Sequence, residues 1–148
     1  HMIRHATAAD ASRIAEILIF AKRMNYRKIF QNDKVSFGEM QVYPLAKSYI
    51  DNSEELKGIW VYDDGFVKGL IHHDGKQIVE LYVDSFFENQ GIGSKLIKYA
   101  IEQLDCDFLW VLEKNIKAIR FYQRHGFVIT EEKQYEEGTT EYIVKMQR

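Results

Sequence analysis

Apolar positions recur with two periods in this chain, and the period changes about every dozen residues. A short run from Ile3 to Ala6 reads as a strand. Beyond it, Asp10 or Ser12 can cap a helix whose residues Ile14, Ile17, Leu18 and Ala21 return at the spacing of one helix face. A second helical stretch is expected from Phe37 to Ile50, with Pro44 interrupting it. Between them, Tyr26-Arg27-Lys28-Ile29-Phe30 carries no readable period.

Strand-like runs follow from Gly58 to Tyr62, Phe66 to His72 and Ile78 to Val83, separated by Asp63-Asp64-Gly65 and Asp74-Gly75. Asp-Gly between alternating apolar runs signals a hairpin, so these strands should be antiparallel neighbours. The third is the most apolar, which predicts a central place. From Ile92 the helical period returns, with Leu96, Ile97, Ala100, Ile101 and Leu104 on one face and Lys95, Lys98 and Glu102 on the other. A strand at Phe108 to Leu112, a helix from Lys117 to Arg124 and two closing strands complete the pattern. Strand, glycine turn, helix, strand is a crossover, so the runs Ile78 to Val83 and Phe108 to Leu112 should be parallel. The expected class is α/β (α+β): one mixed, mostly antiparallel sheet of about seven strands flanked by about four helices.

Composition narrows the function. A chain of 148 residues, 46% hydrophobic and with one proline, supports one core, and 2–148 reads as a single domain. His1, ahead of Met2, reads as a cloning scar. The net charge of −2 gives no broad positive field, which argues against nucleic acid as a partner and requires any anion site to be local. No apolar run approaches the roughly 20 residues of a membrane span, and no secretion signal is visible, so a cytoplasmic location without membrane association is expected. Cys106 is the only cysteine, which excludes an internal disulfide and suggests a packed thiol. His72 and His73 are adjacent on a strand and point to opposite faces, so no metal site is expected. Glu131, Glu132, Glu136, Glu137 and Glu141 cluster around a terminal hairpin turning near Gly138, either as a solvated feature or as a draw for a cationic amine.

Gln90-Gly91-Ile92-Gly93-Ser94 joins the end of an apolar strand to the start of an amphipathic helix. A helix entrance presents unpaired N–H groups and about half a positive charge, which makes an anion site without a basic side chain. Glycines at alternate positions would let a pyrophosphate approach the backbone, and Ser94 could add a hydroxyl. The alternative is a tight turn that only seats helix on strand. The spacing matches neither a nucleotide P-loop nor the complete dinucleotide fingerprint.

Leu81-Tyr82-Val83-Asp84, leading through Gln90-Gly91-Ile92-Gly93 to Leu96-Ile97, resembles the acetyl-CoA motif of the GNAT family, the Gcn5-related N-acetyltransferases. Asn115, Ala118, Phe121-Tyr122 and Gly126-Phe127 reproduce a second motif of that family downstream. One departure is Glu88, where the family carries glutamine or arginine.

The resemblance implies several placements. Gln90, Gly91, Ile92, Gly93 and Ser94 hold the pyrophosphate of acetyl-CoA. The central parallel strands splay, and the pantetheine arm lies in the gap on backbone groups of Leu81 and Val83. Asn115 contacts the cofactor near that arm, and Tyr122 is the general acid for the departing thiolate. The segment from Tyr26 to Tyr49 is similar in position to the family's acceptor-binding region and could wall an acceptor pocket, the alternative being that its aromatics pack as core.

Acetyl transfer to an amine also needs a proton acceptor, because an alkyl amine has a pKa of about 10. Glu80 is the only charged residue in Ile78-Val79-Glu80-Leu81-Tyr82-Val83. A carboxylate in an apolar strand needs either a purpose or a partner, and both readings stand. A backbone N–H of Leu81 or Tyr82 could meet the oxyanion. The reading is therefore an N-acetyltransferase that transfers an acetyl group from acetyl-CoA to a primary amine in a ternary complex, with no metal and with a second copy of the chain, in a homodimer, as one candidate partner. The alternatives are a non-catalytic acyl-CoA sensor or an unrelated nucleotide-binding α/β domain.

Overall fold

The computed structural model describes residues 2–30 and 41–148, with 25–30 described as helix backbone. Seven strands, β1 (Ile3–His5), β2 (Ile59–Asp63), β3 (Val67–Asp74), β4 (Gln77–Val83), β5 (Phe108–Leu112), β6 (Val128–Tyr135) and β7 (Tyr142–Gln147), form one sheet. Its order is β1-β2-β3-β4-β5-β7-β6, antiparallel except between β4 and β5. The α-helices among the described residues are α1 (Ala11–Phe30), α2 (Val42–Asp51), α3 (Ile92–Gln103) and α4 (Ile116–Arg124).

The first helix is prepared by a charged clamp rather than by a simple cap. Asp10 accepts from the Thr7 amide at 2.8 Å and from Arg4 at 2.8 and 2.9 Å, and Arg4 also reaches Asp63. That bond to Thr7 closes a short 3-10 turn at Ala8–Asp10 from which α1 departs. The segment Tyr26 to Phe30 continues α1 instead of leaving it. The second helix begins at Val42, later than expected, and the expected residues 37–40 lie outside the described residues. Pro44 sits in its first turn, where a missing N–H costs nothing, and so it does not interrupt the helix.

Two apolar clusters hold the layers together. Ile71, Ile78, Leu96, Ile97, Leu109, Phe127 and Met146 join the sheet to α3 and α4. Ile14, Leu18, Tyr49, Val61 and Leu70 join the opposite face to α1 and α2. Each fully buried aliphatic side chain of this kind contributes about 1.5–3 kcal/mol. β4 is central, as its composition predicts, but β3 is the more deeply buried. The reason is the way β4 leaves its neighbour.

Candidate active site

Pairing between β4 and β5 is confined to Gln77 with Phe108 and Ile78 with Leu109. Just beyond, the β3–β4 register slips: His72 pairs with Glu80, but His73 pairs with Ile78, leaving Val79 as an extra residue on β4. A bulge bends and twists its strand, and here it carries β4 away from β5, opening the expected gap. It also changes which face each side chain takes. Ile78 packs toward α3 and α4, as does Leu81, whereas Glu80 and Tyr82 turn toward α1 and α2.

The antiparallel ladder fixes the main chain as well. The Asp84 amide donates to the Lys68 carbonyl on β3 at 2.8 Å. Because such bonds alternate, Tyr82 is engaged with β3, while the main-chain groups of Leu81 and Val83 are directed to the gap. Of the two amides considered for an oxyanion, Leu81 therefore has the favourable direction.

The chain passes from β4 through a short 3-10 turn capped by Asp84, whose carboxylate accepts from the Phe86 amide at 2.9 Å and pairs with Arg13 of α1. Asn89 and Gly91 then adopt positive φ, 64° and 80°, with the exposed Gln90 between them. Gly91 caps α3 without any side-chain hydrogen bond, and no acidic residue occupies the first turn. Lys95 is bonded back to Gly91 at 3.1 Å, so the amides of Ile92, Gly93 and Ser94 precede the first intrahelical bond. A Cβ on Gly91 would meet nothing, whereas one on Gly93 would come to 3.4 Å from Phe121. Gly91 thus serves the turn, and Gly93 the contact of α3 with α4. Glu88 is exposed and lies 3.9 Å from Lys117, so its charge has a cationic neighbour in the first turn of α4. The Ser94 hydroxyl lies 3.2 Å from Nε2 of His125.

α4 is capped by Asn115, whose Oδ1 accepts from the Ala118 amide at 3.2 Å, leaving the amide nitrogen to donate elsewhere. Tyr122 lies against Phe121 and Phe127 in edge-on contacts of 5.3 and 6.0 Å. Burial holds its phenol above the ordinary tyrosine value. Its hydroxyl has no hydrogen-bond partner among the described residues.

Glu80 is treated differently. Its Oε2 lies 2.8 Å from Nζ of Lys22 on α1, and Oε1 lies 3.6 Å from Nδ1 of His72. The lysine contact is an ion pair without hydrogen-bond geometry, which leaves Oε2 buried and unsatisfied as an acceptor. Burial pushes this carboxyl up, but His72 and Lys22 together outweigh burial and hold it below the usual carboxylate range. His73 instead meets the Gly75 carbonyl at 3.1 Å. Cys106 is buried, its thiol pushed up to about 11 by burial, and so stays protonated.

The sequence marks the glycine turn, Asn115, Tyr122 and Glu80, but neither the bulge at Val79 nor the partners these residues meet. Lys22, Lys117 and His125 were not singled out, and only the position of His125 between Tyr122 and Gly126 could have drawn notice.

Comparison with known proteins settles the family. The acetyltransferase (GNAT) domain model matches residues 55–129, half of the chain. The chain belongs to the GNAT acetyltransferase family. Among GNAT proteins it is 26% identical over 132 residues to the peptidyl-lysine N-acetyltransferase YiaC of Escherichia coli K12, covering 88% of this chain and 85% of that one. It is 33% identical over 72 residues to the spermine/spermidine N(1)-acetyltransferase of Bacillus subtilis 168, covering 45% and 44% of the two chains. The PaiA N-acetyltransferase of Thermoplasma acidophilum, solved in complex with coenzyme A, superposes with a TM-score of 0.74 over 99% of this chain and 98% of that one. At 17% identity, that likeness establishes the shared GNAT fold.

Proposed function

We propose that this GNAT protein is an N-acetyltransferase that moves an acetyl group from acetyl-CoA directly to a primary alkyl amine. The observation that carries the reading is the coincidence of an uncapped helix entrance with a strand gap, joined by the β4–α3 turn. The amides at Gly91 to Ser94 would hold the diphosphate, and Asn115 would hold the pantetheine arm. The main-chain groups of Leu81 and Val83 would bind that arm in the gap. The structure has room for this: no acidic side chain enters the first turn of α3, and a Cβ at Gly91 would meet no atom.

The gap also answers how candidates on opposite faces can serve one reaction. Tyr122 belongs to the α4 face and Glu80 to the α1 face, and only an opening through the sheet exposes one thioester to both. Glu80, ionised at neutral pH, takes the proton lost by the amine, directly or through water. The Leu81 amide stabilises the developing oxyanion. Tyr122, held in its protonated form by burial, donates to the departing thiolate. The amines named for the relatives, peptidyl lysine and spermine or spermidine, are primary alkyl amines, which supports that acceptor class.

The test is thiol release from acetyl-CoA in the presence of polyamines, aminoglycosides, amino acids and lysine peptides, beside calorimetric titration of coenzyme A. Binding together with amine-dependent thiol release is the expected result. Binding without release for any amine would leave an acyl-CoA sensor, and no binding would remove the proposal.

A further inference from the structure

The α3 entrance has a side-chain contact that its backbone does not require. Ser94, in the first turn, is paired with His125, the residue that terminates α4. His125 is held through both its ring and its backbone. Its ring lies 4.9 Å from that of Phe121, Phe121 in turn backs Gly93, and the His125 carbonyl accepts from Nε of Arg148 at 3.0 Å.

We infer that His125 is a positioning residue for the diphosphate: it aims the Ser94 hydroxyl at the α3 entrance and takes up a proton as the anion arrives, so coenzyme A binding tightens as pH falls. This rests on the reading of that entrance as the diphosphate site.

The argument turns on which atom donates across the 3.2 Å contact. If neutral His125 carries its proton on Nδ1, then Nε2 accepts from the Ser94 hydroxyl and draws that hydrogen away from any anion. If Nε2 carries the proton, it donates to Oγ, and the hydroxyl hydrogen is free to donate to a phosphate oxygen. Protonated imidazole has N–H groups at both positions, so protonation enforces the productive arrangement.

The charges around the ring explain why this is held back without a ligand. The ring is partly buried, and the charged groups facing it are Lys98 of α3, Arg124 of α4 and Arg148 after β7, all cations. Burial first, and then these three charges, keep His125 below the ordinary histidine value. A diphosphate at the α3 entrance brings negative charge to the same place and reverses that balance. By linkage, a group whose pKa is higher in the complex than in the free protein favours binding at low pH. The gain develops as pH falls through the complex value and is complete below the free value.

The measurement is isothermal titration of coenzyme A into the full chain at pH 8 and pH 6, for the native protein and for His125→Gln. Glutamine can still bond to Ser94 but cannot take up a proton. Because the terminal phosphate of coenzyme A titrates with a pKa of about 6, the variant supplies the baseline. On moving from pH 8 to pH 6, the native protein should gain roughly three- to tenfold more affinity than His125→Gln. The NMR titration midpoint of the His125 ring in the native protein should rise on saturation with coenzyme A, a readout that does not depend on the variant's folding. Identical pH dependence in the two proteins, or an unmoved His125 midpoint in the complex, overturns the inference while leaving the transferase reading intact. Failure of coenzyme A to bind at either pH overturns both.

Discussion

On one face of β4, Tyr122 is packed against Phe121 and Phe127 with no hydrogen-bond partner for its hydroxyl among the described residues. On the other, Glu80 is met by Lys22 at 2.8 Å and by His72 at 3.6 Å. Burial acts on both groups in the same sense, favouring the protonated form. At Tyr122 nothing opposes it; at Glu80 a cation and an imidazole do, and the carboxylate stays charged. The two groups are thus set apart by their partners rather than by their depth; in the proposed reaction they are the acid and the base, and the gap in the sheet would let both address one reacting centre. The difference also predicts how separable function and stability are: removing the Tyr122 hydroxyl breaks no bond, whereas changing Glu80 strips Lys22 of its counter-charge.

The comparison is tested most sharply by Tyr122→Phe. The ring contacts remain, so stability should change by less than about 0.5 kcal/mol. The dissociation constant for acetyl-CoA should stay within about threefold, while kcat falls by about a hundredfold or more. Single-turnover rates and calorimetry read the two quantities separately. A variant with native turnover would show that the phenol only fills space.

A smaller catalytic effect, with a larger structural one, is expected of Glu80→Gln. An amine proton can also leave to water, so kcat should fall by roughly ten- to a hundredfold. Lys22 is left unpaired but can turn outward, since its side chain is 30% exposed, and the loss of stability should be about 1–3 kcal/mol. Its pH dependence follows from the sign of the shift. Glu80 is held below its unfolded value, so its stabilisation is fully present above that value, about 4.3, and disappears as pH falls through the folded one. Urea unfolding should therefore show the native protein and the variant well separated at pH 7 and converging below about pH 4. Native turnover together with lost stability would make Glu80 a structural ion pair.

These elements were not equally legible in the sequence. Asp74-Gly75 and the glycine turn carry their conformations in a few adjacent residues, and the strand-turn-helix-strand order forces the parallel crossover. The apolar spacing of Leu96, Ile97 and Ala100 likewise marked α3. What escaped depends on residues brought together only by folding. The bulge at Val79 is a property of the β3–β4 register, visible in neither strand alone. Lys22 meets Glu80 because α1 crosses β4, and His125 meets Ser94 because α4 ends beside the start of α3. The continuation of α1 through Phe30 was hidden because Tyr26-Arg27-Lys28-Ile29-Phe30 shows no clean apolar stripe. Pro44 misled for another reason: its effect depends on where the helix begins, and α2 begins only two residues before it.

The smallest effects distinguish the two glycines of the turn, and through them how far the Tyr122 face can be disturbed without touching Glu80. Gly91 has φ 80°, a conformation that costs an L-residue about 1 kcal/mol, although its absent Cβ would meet no atom. Gly93 is helical, and its added Cβ would sit at ordinary contact distance, 3.4 and 3.5 Å from Phe121 and 3.8 Å from Val83. Gly91→Ala should therefore lose about 1 kcal/mol in urea unfolding and weaken coenzyme A binding, because the strain falls on the turn that aims the first-turn amides. Gly93→Ala should keep its stability within about 0.5 kcal/mol, helped by the better helix propensity of alanine. Any loss it shows should appear in kcat, since Phe121 adjoins Tyr122. If the order is reversed, with Gly93→Ala the weaker binder and Gly91→Ala native-like, the second glycine is the one that admits the diphosphate, and Gly91 is a replaceable turn residue.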